Sequence, residues 1–422
     1  MTDHARRDAV LAKLARPLPL WLKPMLLVCT AAGLLGFVLL AAGSDAARAW
    51  RIYHLNWLYW TGLAMGSVLF SAVTTTAKGR WAFPLRRIGE ASIAFLPVSL
   101  VLFVLLWAGR SEIFPWVTHP ISDVPSKAFW LRDWFVCARD GVALVGLFTL
   151  AAWYVYHSLR PDAALLQANA PAKVKALYER LARGFEGARG GAFSEERRDR
   201  IAPGLIVAYA VVMSLVAFDL VMSLSPGWVS NLLGGFFFAG AWLTGLTSIA
   251  VLVLLLRRHY ELEDLLSPGV LHDLGKLIFG FTVFWAYLFF SQFLVQWYGN
   301  LPDEISFLYL RMMKPEWRGI SAAMLVLVFL LPFWGLIGIV PKKTPAILGT
   351  FALISLVGVW TDRYVLVVPS IVGAAPGLPL GWQELLITAG FFGLWGLALT
   401  WFAERFPLVS PNYVDRMPGP AH

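Results

Sequence analysis

"LHDLGKLIFGFTVFWAYLFFSQFLVQWYGN", residues 271–300, is apolar enough to cross a bilayer yet polar at both ends. It enters with His272, Asp273 and Lys276 and leaves with Gln292, Gln296 and Asn300. A helix of about 20 predominantly apolar residues crosses a hydrocarbon core of about 30 Å. Polar groups held at that depth are expensive and are usually kept for a task. One stretch therefore points both to the class of the fold and to where its function is sought.

The rest of the chain repeats the pattern. Of 422 residues, 58% are hydrophobic and 14% charged, and the mean hydropathy of +0.66 is more than a water-facing domain carries on its surface. We read ten spans, at about 21–43, 54–76, 88–108, 135–157, 202–224, 231–256, 272–298, 319–340, 345–368 and 383–403. These leave no room for a soluble domain of useful size. The expectation is an all-α polytopic membrane protein forming one membrane domain over residues 1–422. The apolar run Met25–Ala42 is longer than the ~7–15-residue core of a cleaved signal peptide, so the first span is expected to be retained.

The net charge of +9 could suggest nucleic acid, but its placement argues for topology. With Lys23 and Lys276 counted on the rims they occupy, 25 of the 35 Lys and Arg fall on the side of the N-terminus, and eight on the other. Arg139 and Arg363 lie within spans. The positive-inside rule then puts both termini in the cytoplasm, with no nucleic acid partner. Two cysteines, Cys29 and Cys137, cannot build a four-cysteine cluster, and no CxxCH motif is present. The histidines sit at the termini or at span ends, so no pair of them brackets a haem at mid-membrane. The chain is expected to bind no metal or redox cofactor of its own.

Internal symmetry organises the spans. "RIGEASIAF" in span three matches "DLGKLIFGF" in span seven, with Glu90 and Lys276 aligned 186 residues apart (276 minus 90), and Arg132 and Arg318 keep that offset. Asp219 precedes Pro226 by seven residues, as Asp362 precedes Pro369, at an offset of 143 (362 minus 219). The inner loop 158–200 accounts for most of the difference, since its counterpart is the four-residue "PKKT". We read one four-helix repeat over 54–226 and a second over 227–370, with 21–43 and 383–403 as peripheral helices. Four spans per unit make the repeat parallel. Within the inner loop, "AKVKALYERLAR" sets Val174, Leu177 and Leu181 on one helical face; it reads as a helix on headgroups or on a partner, or as a solvated connector.

Ionisable residues in the spans or at their rims form two layers. Toward the inner face are Glu90, His157, His272, Asp273 and Lys276; toward the outer face are His54, Arg139, Asp140, Asp219, Asp362, Arg363 and Glu384. An ionised Asp at a helix centre carries an insertion penalty of about 2.5–3.5 kcal/mol, so such groups need a partner or a function. Neighbours in sequence point about 100° apart on a helix, so Arg139 with Asp140, and Asp362 with Arg363, are expected not to pair with each other. Arg139 or Arg363 is the natural partner for Asp219. The layers, with an apolar gap between them, suggest two half-channels for protons. The same residues could equally be clips between helices. Gly62, Gly66, Gly235 and Gly240 are expected to permit close helix packing.

Three segments carry a family likeness. "AFDLVMSLSPGWVSNLLGGFFFAGAW", "LHDLGKLIFGFTVFWAYLFFSQFLVQWYGNLPDE" and "WTDRYVLVVPS" resemble the F subunits of bacterial alternative complex III, within the broader family of polysulfide-reductase-type (NrfD-like) membrane subunits. The resemblance implies ten helices in two four-helix bundles, located in the bacterial cytoplasmic membrane. It also implies membership in a quinol-oxidising complex that takes menaquinol or ubiquinol and passes electrons to a cytochrome c or a terminal oxidase. The implied partners are membrane lipid, a sister NrfD-like subunit, an iron-sulfur subunit and haem c subunits outside. On that likeness Asp219, His272, Asp273, Lys276, Asp362 and Arg363 occupy matching motif positions, and the F subunit contributes proton conduction rather than redox chemistry. The readings left open are a quinol-binding membrane anchor using Glu90 or His272, a stand-alone secondary transporter, and a structural anchor.

Overall fold

The computed structural model describes residues 3–43, 45–121, 124–185, 187–373 and 380–414. Side chains are described from residue 7 onward, apart from 169 and 187–189, so His4 and His422 lie outside them. The described residues form helices and connecting turns, with no strand among them. Nine stretches are long and apolar enough to cross a membrane. They are α1 (Leu22–Ala41), α3 (Arg80–Ile113), α4 (Asp133–Leu166), α5 (Gly190–Leu224), α6 (Leu233–His259), α7 (Pro268–Gly299), α8 (Pro315–Leu336), α9 (Pro345–Val372) and α10 (Trp382–Ala403). A further 31-residue helix, α2 (Ala46–Thr76), completes the ten expected. We call the inner face the one where the helices Asp3–Leu14 and Pro411–Val414 meet.

Local chemistry explains the boundaries. Helices α7, α8 and α9 open on Pro268, Pro315 and Pro345, where a missing N–H costs nothing because the first turn has no acceptor for it. Asp45 caps α2 by accepting from the Arg48 amide at 3.2 Å. Asn300 closes α7 in the left-handed conformation, φ 47°, which Asn tolerates better than most residues.

Helix α2 falls short of the apolar threshold for a physical reason. Every residue from Ile52 to Ala72 is buried, so the helix sits at the centre of the bundle and meets protein on all sides. It can carry His54, Asn56, Thr61, Ser67 and Ser71 because other helices satisfy them. Thr61 and Ser99 share a hydrogen bond of 2.6 Å, Ser67 and Ser248 one of 2.9 Å, and Trp360 donates to Asn56 at 3.2 Å.

The α2–α6 crossing is a close backbone-to-backbone approach. A Cβ added at Gly245 would lie 2.3 Å from the Gly66 carbonyl carbon, and one at Gly66 would lie 2.5 Å from the Ala241 oxygen. Gly62 meets Ala241 in the same way, at 2.9 Å. The other two glycines behave differently. Gly235 has open space, and the room beside Gly240 is taken by the Arg363 guanidinium, 2.8 Å from a built Cβ. Helices α1 and α10 pack on each other at the edge through Gly33 and Gly390. They are tied to the rest by a bidentate Arg48–Glu384 pair, both contacts 2.8 Å.

Two segments add to the expectation. The inner loop 158–200 holds the expected helix and more, because α4 continues to Leu166 and the helix of α5 begins at Gly187. Between them the helix Ala172–Ala182 docks on the chain itself rather than on headgroups: Val174, Tyr178 and Leu181 are buried, Tyr178 donates to the Arg405 carbonyl at 2.7 Å, and Arg160 donates to the Leu181 and Arg183 carbonyls. The second is in α9, where Pro369 lies inside the helix and has no N–H to give the Val365 carbonyl four residues back. Arg311, from the outer helix Pro302–Met312, supplies the donor instead, through Nε at 2.8 Å.

Gly245→Ala is expected to destabilise the protein by about 1–3 kcal/mol through overpacking of the α2–α6 crossing. Gly235→Ala, which meets nothing, is expected to leave thermal unfolding in detergent unchanged.

Candidate functional site

The first half of the outer layer gathers where α4 and α5 meet the short helix Pro125–Trp130. Asp219 is fully matched. Arg139 donates to its Oδ2 through Nε at 2.9 Å and Nη2 at 2.6 Å, and Trp130 Nε1 donates to Oδ1 at 2.8 Å. The guanidinium also lies 3.8 Å from the Trp130 ring centroid, so a planar cation is held between a carboxylate and an aromatic face. Asp140 is the opposite case. It is buried, neither of its oxygens receives a hydrogen bond from the described residues, and it faces the carboxyl group of Asp219. The site thus holds two carboxyl groups and one guanidinium, and the guanidinium belongs to Asp219. As expected from helix geometry, Arg139 does not pair with its sequence neighbour.

Asp362 and Arg363 do approach each other. Arg363 Nη1 lies 3.2 Å from Asp362 Oδ2, contrary to the expectation for adjacent residues. The contact lacks hydrogen-bonding geometry, and both atoms stay without a hydrogen-bond partner among the described residues. The long arginine side chain curls back while its other nitrogen, Nη2, donates to the Phe237 carbonyl at 2.9 Å, with the group 3.9 Å from the Phe237 ring centroid. Asp362 also borders a cavity of about 40 Å³ together with Gln292, Gln296, Ser321 and Arg311. That space accepts roughly two or three waters; its wall is mainly apolar, with Phe236, Phe289 and Met324 among the lining residues, and these few polar groups are where a water would bond. Both glutamines point their amides into this region, since Gln292 Oε1 accepts from Ser230 at 3.1 Å and Gln296 Oε1 from Trp228 Nε1 at 3.2 Å. Trp228 walls a second, more open cleft of about 370 Å³, which Trp130 borders from the other side.

The inner layer divides. Glu90, on α3, sits in a buried network: Ser71 donates to Oε1 at 2.6 Å, Ser158 lies within 3.0 Å of both oxygens, and Arg87 Nε lies 3.0 Å from Oε2. The chain continues from Ser71 through the Tyr154 hydroxyl to Thr75, each step 2.9 Å. Arg87 Nη2 also donates to Asp162 at 2.8 Å. His272, Asp273 and Lys276 are not part of this assembly. They lie at the inner end of α7, where Lys276 pairs with Asp273 at 2.6 Å and is more than half exposed.

Several members of the network escaped the sequence reading. Asp162 lies where a loop was expected, and Arg87 looked like one of many basic residues on an inner rim. The spacing of Arg87 and Glu90, three apart on one helix face, was the available signal. Arg311 is buried with all its contacts to carbonyls, to Ser370 and to the face of Phe307; Pro369 was the clue that a carbonyl in α9 would need such a donor. Among the described residues no three His, Cys, Asp or Glu side chains group as a metal site. Compared with known proteins, the chain matches no family model and no curated protein.

Arg139→Met removes the cation that pairs with Asp219 among the described residues and is expected to destabilise the protein by about 3–5 kcal/mol, since it strands a buried carboxylate. Adding Asp219→Asn to that variant is expected to restore most of the loss in thermal unfolding, because the stranded charge is gone.

Proposed function

We propose that this polytopic membrane chain is a redox-inactive subunit of a respiratory quinol:electron acceptor oxidoreductase of the alternative complex III type. In this reading it conducts protons through two half-channels while electrons travel through partner subunits. The motif likeness supports the assignment to that complex, and with it a sister NrfD-like subunit, an iron-sulfur subunit and haem c subunits. The observation that carries proton conduction is the pair of under-satisfied carboxyl groups. Asp140 and Asp362 are each buried near the outer ends of their helices and each keeps an oxygen without a hydrogen-bond donor.

The chemistry follows from this imbalance. A carboxylate locked by a bidentate arginine is a poor proton carrier because taking up a proton breaks strong bonds. A carboxyl group beside another, with the shared cation already engaged, can hold a proton and release it. Asp140 fits that role beside Asp219, which orients Arg139 and Trp130. Asp362 is placed differently, buried beside Arg363 with no hydrogen bond between the facing atoms, and the small cavity it borders is its proposed route outward. On the inner side, Glu90 with Ser71, Tyr154 and Thr75 is a chain of groups that can each accept and donate.

Asp140→Asn and Asp362→Asn are expected to lower the protons delivered per electron by the complex in proteoliposomes, with assembly intact. Unchanged stoichiometry in both variants would reject conduction and leave a scaffold.

A second reading, that the chain itself holds a quinol, is favoured by the outer cleft. Trp130, Leu131, Phe218, Met222 and Trp228 line it, and the indole of Trp130 joins it to Asp219. Neither Glu90 nor His272 lines that cleft. A photoreactive quinone analogue applied to the assembled complex decides between the readings: adducts on Trp130 or Met222 would favour quinol binding, and adducts confined to another subunit would exclude it.

A further inference from the structure

Glu90 is closed off from the inner face by a segment that the conduction reading does not use. Beyond α10, residues 408–414 run across the inner ends of α3, α4 and α5 and finish in one helical turn, Pro411–Val414. All of them but Asn412 are buried. The Ser410 hydroxyl and the Asn412 amide both donate to Asp162 Oδ1, at 2.7 and 3.2 Å. Asn412 Nδ2 donates to Glu195 at 3.2 Å. The Tyr413 ring stacks on Phe83 with centroids 4.5 Å apart, and its hydroxyl accepts from Arg198.

The other oxygen of Asp162 accepts from Arg87, whose Nε reaches Glu90. One guanidinium therefore bridges two buried carboxylates, and the strap holds the one nearer the inner face. Asp162 is 2% exposed and Glu90 1%, so neither has a direct route to water while the strap is docked.

We propose that Asp162 is the inner relay carboxylate for Glu90 and that residues 408–414 gate it. Docked, the strap fills the acceptor site on Asp162 and excludes water. Displaced, it uncovers Asp162, Arg87 and Glu90 in turn. A seven-residue segment opens at lower free energy than a whole helix packed inside the bundle, although this one also buries Leu408, Val409 and Val414 and packs against the helix Asp3–Leu14. This inference rests on the conduction reading, but the accessibility of the two carboxyl groups can be read without it.

The test uses the full chain in lipid vesicles, treated with a water-soluble carbodiimide and an amine nucleophile, with adducts on Glu90 and Asp162 quantified by mass spectrometry. The variant Ser410→Ala with Tyr413→Ala is expected to raise labelling about tenfold, because a hydrogen bond to a buried charge and a ring stack are removed together. Ser410→Ala alone, the milder change, is expected to give an intermediate rise. Equal labelling in all three proteins would overturn the gate. Asp162→Asn is expected to lower proton flux driven by an imposed potential, and wild-type flux in that variant would overturn the relay. If the unmodified chain and complex carry no protons, the conduction reading fails and the relay with it, whereas the labelling comparison still decides whether the strap controls access.

Discussion

Hydrocarbon offers no hydrogen bonds, so every polar group in this bundle must be met by another part of the chain or by water held inside it. Helix α2 shows what that constraint allows. Because protein surrounds it over Ile52–Ala72, it carries a histidine, an asparagine and several hydroxyl groups that a lipid-facing helix could not. At the α2–α6 crossing Gly66 and Gly245 remove the side chains, and Ser67 there reaches Ser248. Other polar groups of α2 are met by α3, α5 and α9, through Ser99, the Leu220 carbonyl and Trp360.

The same constraint separates the buried charges into two kinds. Glu384 with Arg48, and Asp219 with Arg139 and Trp130, have their hydrogen-bonding capacity met. The first pair joins helices far apart in sequence and the second joins consecutive helices, and both behave as clips. Asp140 and Asp362 are buried just as deeply but keep oxygens without donors. Removing the partner of a matched charge threatens the fold, whereas an unmatched carboxyl group retains the freedom to exchange a proton. The motif likeness singled out Asp219, yet the geometry shifts the weight of the proposed function to its neighbour in the site, Asp140.

Arginine does much of the joining. Arg311 meets the carbonyl that Pro369 leaves open in α9, Arg87 bridges Glu90 and Asp162, and Arg139 and Arg363 each lie against an aromatic face. A planar group with five donors can engage a carboxylate, a carbonyl and a ring together, which an ammonium cannot. Lys276, a compact cation, sits at the inner rim and is more than half exposed, where its flexible stem reaches water.

Sequence by itself determined the class of the fold, the number of long helices and nearly all their positions. Those properties follow from runs of apolar residues matched to the thickness of a bilayer and from prolines at helix starts. The one helix that hydropathy barely marks, α2, was still legible because its polar residues are few among many apolar and aromatic ones. Sequence also identified Arg139 as a candidate partner for Asp219, since adjacent helical residues diverge. It could not foresee that Arg363 would bend back toward Asp362, that the helix in the basic inner loop would dock on the chain itself, or that Ser410 and Asn412 would close over Asp162. Each of those outcomes depends on which helices become neighbours, and residues hundreds of positions apart meet only once the whole bundle has packed. For that reason the depth of a charge could be read along the chain, while its partner, and with it the difference between a clip and a proton carrier, was decided by tertiary structure alone.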